Sequence, residues 1–402
     1  MYDRRITAPA RRGGKRRMFI FAALALAALS FFAGYKLRGR MTAEALLTAY
    51  AKYVGNLPSH KHPEATVAEV MATDYAPLIG IRTPADVESL RHRAIAHVWR
   101  GKPVSYDQLR PNRVIRNEIF LPLEDIGSIA AIDRLIVDMP FGVNSVVLHL
   151  KAKDPQSCLM LYQEGHRVSF LEHKRFLKRV LNEGCDVLAL SFPLTGPINN
   201  RPLIDHPRFG KMLLNDPDDL ALLDTDEDSY LYYFVAPMVA SLNHALGESS
   251  YGRIGATGFS GGGWAVEVLA AFDPRIQASY TVAGSAPIGV HAAKPGWGSP
   301  EQRDGRFYNI VNYTELYAMG SVGAGRRQLQ FFNLTDPCCF AGSNWAAYRT
   351  AVAHRARSLG GNFRVLTYED PNHRLTKPVG LAIIDDFVNG GRNLPPELRD
   401  TD

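Results

Sequence analysis

The chain has 402 residues, 46% of them apolar, and 46 Lys+Arg against 40 Asp+Glu give a formal net charge of +6. That composition excludes a disordered chain, a collagen-like repeat and a disulfide-dense miniprotein, and the length accommodates one large α/β domain of roughly 250–300 residues with an appendage. The excess charge is local: residues 1–40 hold ten basic groups and one acid, Asp3, which leaves 36 basic and 39 acidic residues in 41–402, a net of −3. A cationic nucleic-acid-binding body is therefore not expected.

In chain order, the first predicted element is the charge-free run MFIFAALALAALSFFAGY, residues 18–35. Eighteen residues at about 1.5 Å each span roughly 27 Å, close to a hydrocarbon core. Seven basic residues precede the run and three follow it closely. The positive-inside bias then makes 1–17 a cytoplasmic tail and sets the body across the membrane, facing the periplasm or cell exterior. The alternative is a cleaved signal peptide. Arg16-Arg17-Met18-Phe19-Ile20 is similar to a twin-arginine export signal, and Ala25-Leu26-Ala27 is its candidate cleavage site. Cleavage there would cut the apolar run in half, so an uncleaved single-pass anchor is preferred.

Residues 41–110 read as a helical N-terminal extension. Thr42 caps one helix running to about Gly55. Thr83 followed by Pro84 opens a second that stops at Gly101, with threonine as cap and proline in the first turn.

The main domain is placed at 111–395. It opens with two extended runs, RVIRNEIFLP and SVVLHLKAK, as an antiparallel start. Buried strands follow at SCLMLYQ (157–163), CDVLALSF (185–192), RIGATG (253–258), ASYTVAG (278–284), QLQFFNLT (328–335) and FRVLTYE (363–369). Between them fall helices from Ser169 to Gly184, near 230–246, from Gly261, near 343–359 and near 378–389. Apolar strands alternating with helices indicate a mostly parallel central sheet covered on both faces, with ligands at the carboxyl ends of its strands.

Cys158 and Cys185 begin two neighbouring strands and read either as a bridge or as two small buried side chains. Core thiols are preferred, because a domain of this size needs no staple. Adjacent Cys338 and Cys339 could pair only through an unusual bond. No cysteine spacing matches a zinc site, and no metal or other cofactor is expected.

Chemistry enters at Gly258-Phe259-Ser260-Gly261-Gly262, a G-x-S-x-G string between a predicted strand and a predicted helix. A serine at a sharp strand-to-helix turn projects its hydroxyl above the sheet. Side chains two positions to either side would collide with neighbouring backbone, hence glycine at both. The plainer reading is a glycine-rich structural turn.

The stretch GFSGGGWAVEVLAAFDPRI followed by ASYTVAGSAP resembles the elbow, helix and next strand of the α/β-hydrolase superfamily, in particular its acetyl-xylan-esterase-like and dienelactone-hydrolase-like members. The resemblance covers about 115–390 and implies an α/β-hydrolase fold with a chain order of serine, acid, histidine. Asp336 follows the strand QLQFFNLT and His373 follows the last strand, so both fall on the same sheet edge as Ser260. Serine becomes a nucleophile when a neutral imidazole takes its proton, and a buried carboxylate holds that imidazole in one tautomer. Asp370 is the competing acid. The resemblance further implies an oxyanion hole from the backbone N–H groups of Gly261 and His166, the latter in Glu164-Gly165-His166, which is similar to the family's His-Gly-x element with Glu164 in place of the usual His. Tyr162 and Trp264 are the candidate substrate contacts.

Two stretches stay outside this scheme. Seven acids in 216–228 lack the glycine and terminal Glu of a calcium loop and read as a solvated loop capping the next helix. Residues 286–327 form a long connection with His291, Trp297, Tyr308, Tyr313 and Tyr317, which either line a sugar or acyl pocket or form the small core of an inserted helix. The expected function is hydrolysis of a short acyl carboxylic ester, of a small molecule or carbohydrate, through an acyl-enzyme. The rival readings are a serine peptidase or transacylase using the same residues, and a catalytically silent envelope binding module.

Overall fold

The computed structural model describes residues 67–293, 298–391 and 393–401. Ten strands build the main sheet. They are β1 (Arg113–Ile115), β2 (Ile129–Asp138), β3 (Asn144–Ala152), β4 (Cys158–Gln163), β5 (Cys185–Leu190), β8 (Arg253–Phe259), β9 (Ala278–Val282), β10 (Arg327–Asn333), β11 (Asn362–Tyr368) and β12 (Arg399–Asp400). Strands β6 (Leu203–His206) and β7 (Gly210–Leu213) form a separate hairpin. The spatial order is β1-β2-β3-β5-β4-β8-β9-β10-β11-β12. The six strands from β5 to β11 run parallel, with antiparallel strands at both edges.

The helices are α1 (Ala68–Ala72), α2 (Pro84–Val98), α3 (Lys174–Asn182), α4 (Tyr232–Glu248), α5 (Gly261–Phe272), α6 (Ile288–Ala293), α7 (Gly305–Tyr308), α8 (Tyr313–Ser321), α9 (Ala346–Ser358) and α10 (Lys377–Asn389). Strand alternation divides the apolar interior in two. Leu159 and Leu161 of β4 face a core built with α2, α4, α5, α8 and α9. Cys158, Met160 and Tyr162 face the other core, built with α3 and α10. This is the expected sheet with helices on both faces.

Three differences from the sequence expectation have physical causes. The antiparallel start is β1 paired with β2, not with β3. Strand β2 escapes notice because Asp133 and Arg134 interrupt its apolar run. Asp133 is nevertheless buried, where Lys151 and Arg116 each meet its carboxylate at 2.8 Å. Burial pushes its pKa up, but these cations and the Asn117 N–H outweigh that and hold it at about 2. Second, Cys158 and Cys185 lie in direct register on parallel strands and are disulfide-bonded, so the preferred reading as core thiols is corrected; Cys338 and Cys339 are bridged as well. Third, most of the acidic stretch is tied down, while Asp226 and Glu227 stay exposed as a solvated loop would have them. Asp216 and Asp219 form a capping box on the turn Pro217–Leu223. Asp224 pairs with Arg100 and Arg306, and Asp228 with Lys102.

Of the N-terminal extension, the helix capped by Thr83 is α2, with Asp86 completing the capping box. It packs onto the main domain, where buried Arg91 donates to the Ala271 carbonyl at 3.0 Å. The run 18–35 and the helix expected from Thr42 lie outside the described residues. Among the described residues no helix is long and apolar enough to cross a membrane.

Candidate active site

Strand β8 ends at Phe259, helix α5 begins at Gly261, and Ser260 between them has φ +56° and ψ −130°. A non-glycine residue at positive φ is strained, and the backbone here is held by neighbours: the Ser260 N–H donates to the Val282 carbonyl of β9 at 2.8 Å. A Cβ on Gly258 would overlap the Gly262 carbonyl, and one on Gly262 would overlap the Gln163 carbonyl at the end of β4. These collisions are why both elbow positions carry glycine.

The loop leaving β4 crosses the elbow. A Cβ on Gly165 would stand 2.8 Å from the Ser260 Cβ and 3.1 Å from the Gly261 nitrogen. The His166 ring lies against Gly261 and meets Phe192 edge-on at 4.8 Å. Neither the Gly261 N–H nor the His166 N–H has a hydrogen-bond partner among the described residues. Glu164 is fully buried. Its Oε1 accepts from the Gly165 N–H at 3.0 Å, and its Oε2 meets Tyr162 Oη at 2.8 Å and His173 Nδ1 at 2.6 Å. The Leu375 N–H points at His173 Nε2 at 3.3 Å, which requires a lone pair there and puts the ring proton on Nδ1, toward Glu164. Glu164 thus supplies the hydrogen bonding of this rim through a strut of side chains. That strut runs from the loop over Ser260 to the loop that carries His373.

Asp336 and His373 leave the carboxyl ends of β10 and β11. His373 Nδ1 lies 2.7 Å from Asp336 Oδ2, and Asp336 Oδ1 accepts from the N–H groups of Cys338 at 2.8 Å and Cys339 at 3.2 Å. Asp336 is 2% exposed. Asp370 instead receives Arg374 at 2.7 Å and the Asn372 N–H at 2.8 Å. The His373 ring packs on Phe259, the residue before Ser260, with centroids 4.6 Å apart. Its Nε2 is buried and has no hydrogen-bond partner among the described residues, so no bond joins it to the Ser260 hydroxyl in this structure. Such contacts are often long without substrate and tighten in the reacting complex.

Two candidate substrate contacts are corrected. Tyr162 and Trp264 are wholly buried; Tyr162 belongs to the Glu164 strut, and Trp264 Nε1 donates to Tyr308 Oη at 2.6 Å. Tyr308, Tyr313 and Tyr317 are buried too, Tyr308 stacking on Tyr313 at 4.5 Å, which makes them the core of the inserted helices. The side chains of His291 and Trp297 lie outside the described residues.

Sequence reasoning missed Asn333. Its Nδ2 donates to the Asp370 carbonyl at 2.8 Å and the Asn372 carbonyl at 3.2 Å, and its Oδ1 accepts from the Asp370 N–H at 2.9 Å. No local sequence pattern marks it, since its partners lie in another loop. It ties the Asp336 loop to the His373 loop.

No protein-family model matches the chain, and no curated protein matches it. Solved structures do. Acetyl xylan esterase 1 from Thermoanaerobacterium sp. JW/SL YS485 shares 14% identity at a TM-score of 0.53, over 81% of this chain and 99% of that one. An acetyl xylan esterase from Paenibacillus sp. R4 shares 16% at 0.53, over 81% and 99%. Methylesterase BT1017 shares 16% at 0.55, over 84% and 74%. What is common at these identities is the fold, that of the α/β-hydrolases.

Proposed function

We propose that this α/β-hydrolase-fold chain is a serine hydrolase that cleaves short-acyl carboxylic esters. The observation that carries the reading is the pairing of a strained elbow serine with a His373 held by buried Asp336 on the same sheet edge. Ser260 Oγ attacks the acyl carbonyl as His373 Nε2 takes its proton. Asp336 keeps the ring proton on Nδ1 and stabilises the imidazolium that forms. The N–H groups of Gly261 and His166 receive the oxyanion at the N-terminus of α5. His373 returns the proton to the leaving alcohol; water then attacks the acyl-enzyme as His373 takes its proton, and that proton passes to Ser260 Oγ as the acyl–oxygen bond breaks and the carboxylic acid leaves.

The likeness to acetyl xylan esterases makes acetylated sugars the first natural substrates to test. Export through residues 18–35 puts this chemistry outside the cytoplasm. The Cys158–Cys185 bridge supports that placement, since such bonds persist in oxidising compartments. The test is steady-state hydrolysis of p-nitrophenyl esters of increasing acyl length and of acetylated xylo-oligosaccharides. Acetate should be turned over fastest, with S260A slower by about 10⁴-fold or more and still folded. A folded S260A as active as the wild type would refute the reading.

A further inference from the structure

Three loops bring a second set of ligand-type side chains together: His166 after β4, Asp218 in the turn Pro217–Leu223, and Glu301 in the turn Pro300–Arg303. One nitrogen and one oxygen from each carboxylate all lie within 4.8 Å of one another. Glu301 is fully buried, and His166 Nε2 stands 2.9 Å from its Oε1. Four atoms of the set (His166 Nε2, Asp218 Oδ1 and both Glu301 oxygens) are buried with no hydrogen bond among the described residues. Arg167 stands 3.8 Å from Asp218 Oδ2 and engages Asp216 at 2.5 Å.

A buried carboxylate without donors is costly unless a counter-charge meets it. The His166 ring reaches one Glu301 oxygen only, at 2.9 Å. It leaves the second Glu301 oxygen and Asp218 Oδ1 unmet. One divalent cation would meet all of them and cancel the two carboxylate charges. Ligands about 2.1 Å from a shared ion are roughly 3–3.5 Å apart, so the His166–Glu301 spacing is already close and Asp218 needs only a side-chain adjustment. One imidazole with two carboxylates suits Zn²⁺; Ca²⁺ takes six to eight oxygens.

We propose that His166, Asp218 and Glu301 form a Zn²⁺-binding site that clamps two flanking turns onto the loop over Ser260. The ion would fix the His166 backbone, which supplies an oxyanion donor in the reading above. Its effect on turnover rests on that reading, while metal binding itself does not.

The full-length protein in detergent, stripped with EDTA, is titrated with ZnCl₂ by calorimetry, with MnCl₂ and CaCl₂ in parallel. Bound metal is counted by mass spectrometry, and thermal midpoints are recorded with and without ion. One equivalent of Zn²⁺ should bind with micromolar or tighter affinity and raise the midpoint by several degrees. D218N, at a partly exposed position, should fold and bind at least tenfold more weakly, as should E301Q. S260A should bind like the wild type, so loss of ester turnover with zinc retained separates the two readings. A folded, stripped wild type with no saturable Zn²⁺ uptake, a preference for Ca²⁺, or D218N with unchanged affinity would each overturn the site.

Discussion

Two carboxylates stand near His373, and their partners tell them apart. Asp336 has one oxygen on the imidazole and the other on two backbone N–H groups, a fully satisfied buried acid. Asp370 is engaged by Arg374 and the Asn372 N–H. D336N should therefore lower kcat on p-nitrophenyl acetate by about 10⁴-fold, because the amide favours the wrong tautomer. D370N should cost less than about tenfold, and equal losses in both would contradict this assignment. At this scale the sequence was readable wherever chemistry dictates residue type: serine between glycines, an acid and a histidine just past strand ends. It was silent on Asn333 and on the Glu164–His173 strut. Asn333 bonds the backbone of a loop 37 or more positions on, and Glu164 a histidine nine positions on, and neither contact leaves a local pattern.

At the scale of elements, the elbow depends on backbones approaching closely. Gly262 lies against the β4 carbonyl of Gln163, so G262A must move either the nucleophile or the strand. Gly247 lies in α4 with nothing within 4 Å of its missing side chain and no positive φ. G262A should lose about 3 kcal/mol or more, while G247A should gain about 0.5–1 kcal/mol. Urea titration checks both, and a neutral G262A would contradict the packing described for the elbow. The six central parallel strands were legible as continuous apolar runs between helices. Strand β2 was not, because its buried acid is compensated by Arg116 and Lys151, and Lys151 reaches it from a different strand. The disulfide was missed for a related reason: register between β4 and β5, not composition, brings Cys158 to Cys185.

Across the whole molecule, Glu267 links the core to pH. It sits in α5, buried, accepting from Ser285 Oγ and from Gln330 Nε2 at 3.2 Å. Burial pushes its pKa up to about 8, and hydrogen bonds from Ser285, Thr281 and Gln330 offset only part of that. Between its ordinary value of 4.5 and about 8, the folded protein keeps a proton that the unfolded chain has released. This group's contribution is therefore fully present below about 4.5 and declines as pH rises toward 8, by on the order of a few kcal/mol. E267Q should flatten that decline, so its thermal midpoint relative to wild type should be higher at pH 8.5 than at pH 5.5. A constant difference across that range would contradict the burial of an ionisable acid here.

The measurement closest to the heart of the proposal is intact-mass and peptide analysis of the full-length protein after exposure to a fluorophosphonate. One adduct should form, mapped to Ser260, absent in S260A and formed far more slowly in H373A, with circular dichroism unchanged in both variants. No adduct on a folded wild type, or an adduct on another residue, would contradict Ser260 as the nucleophile.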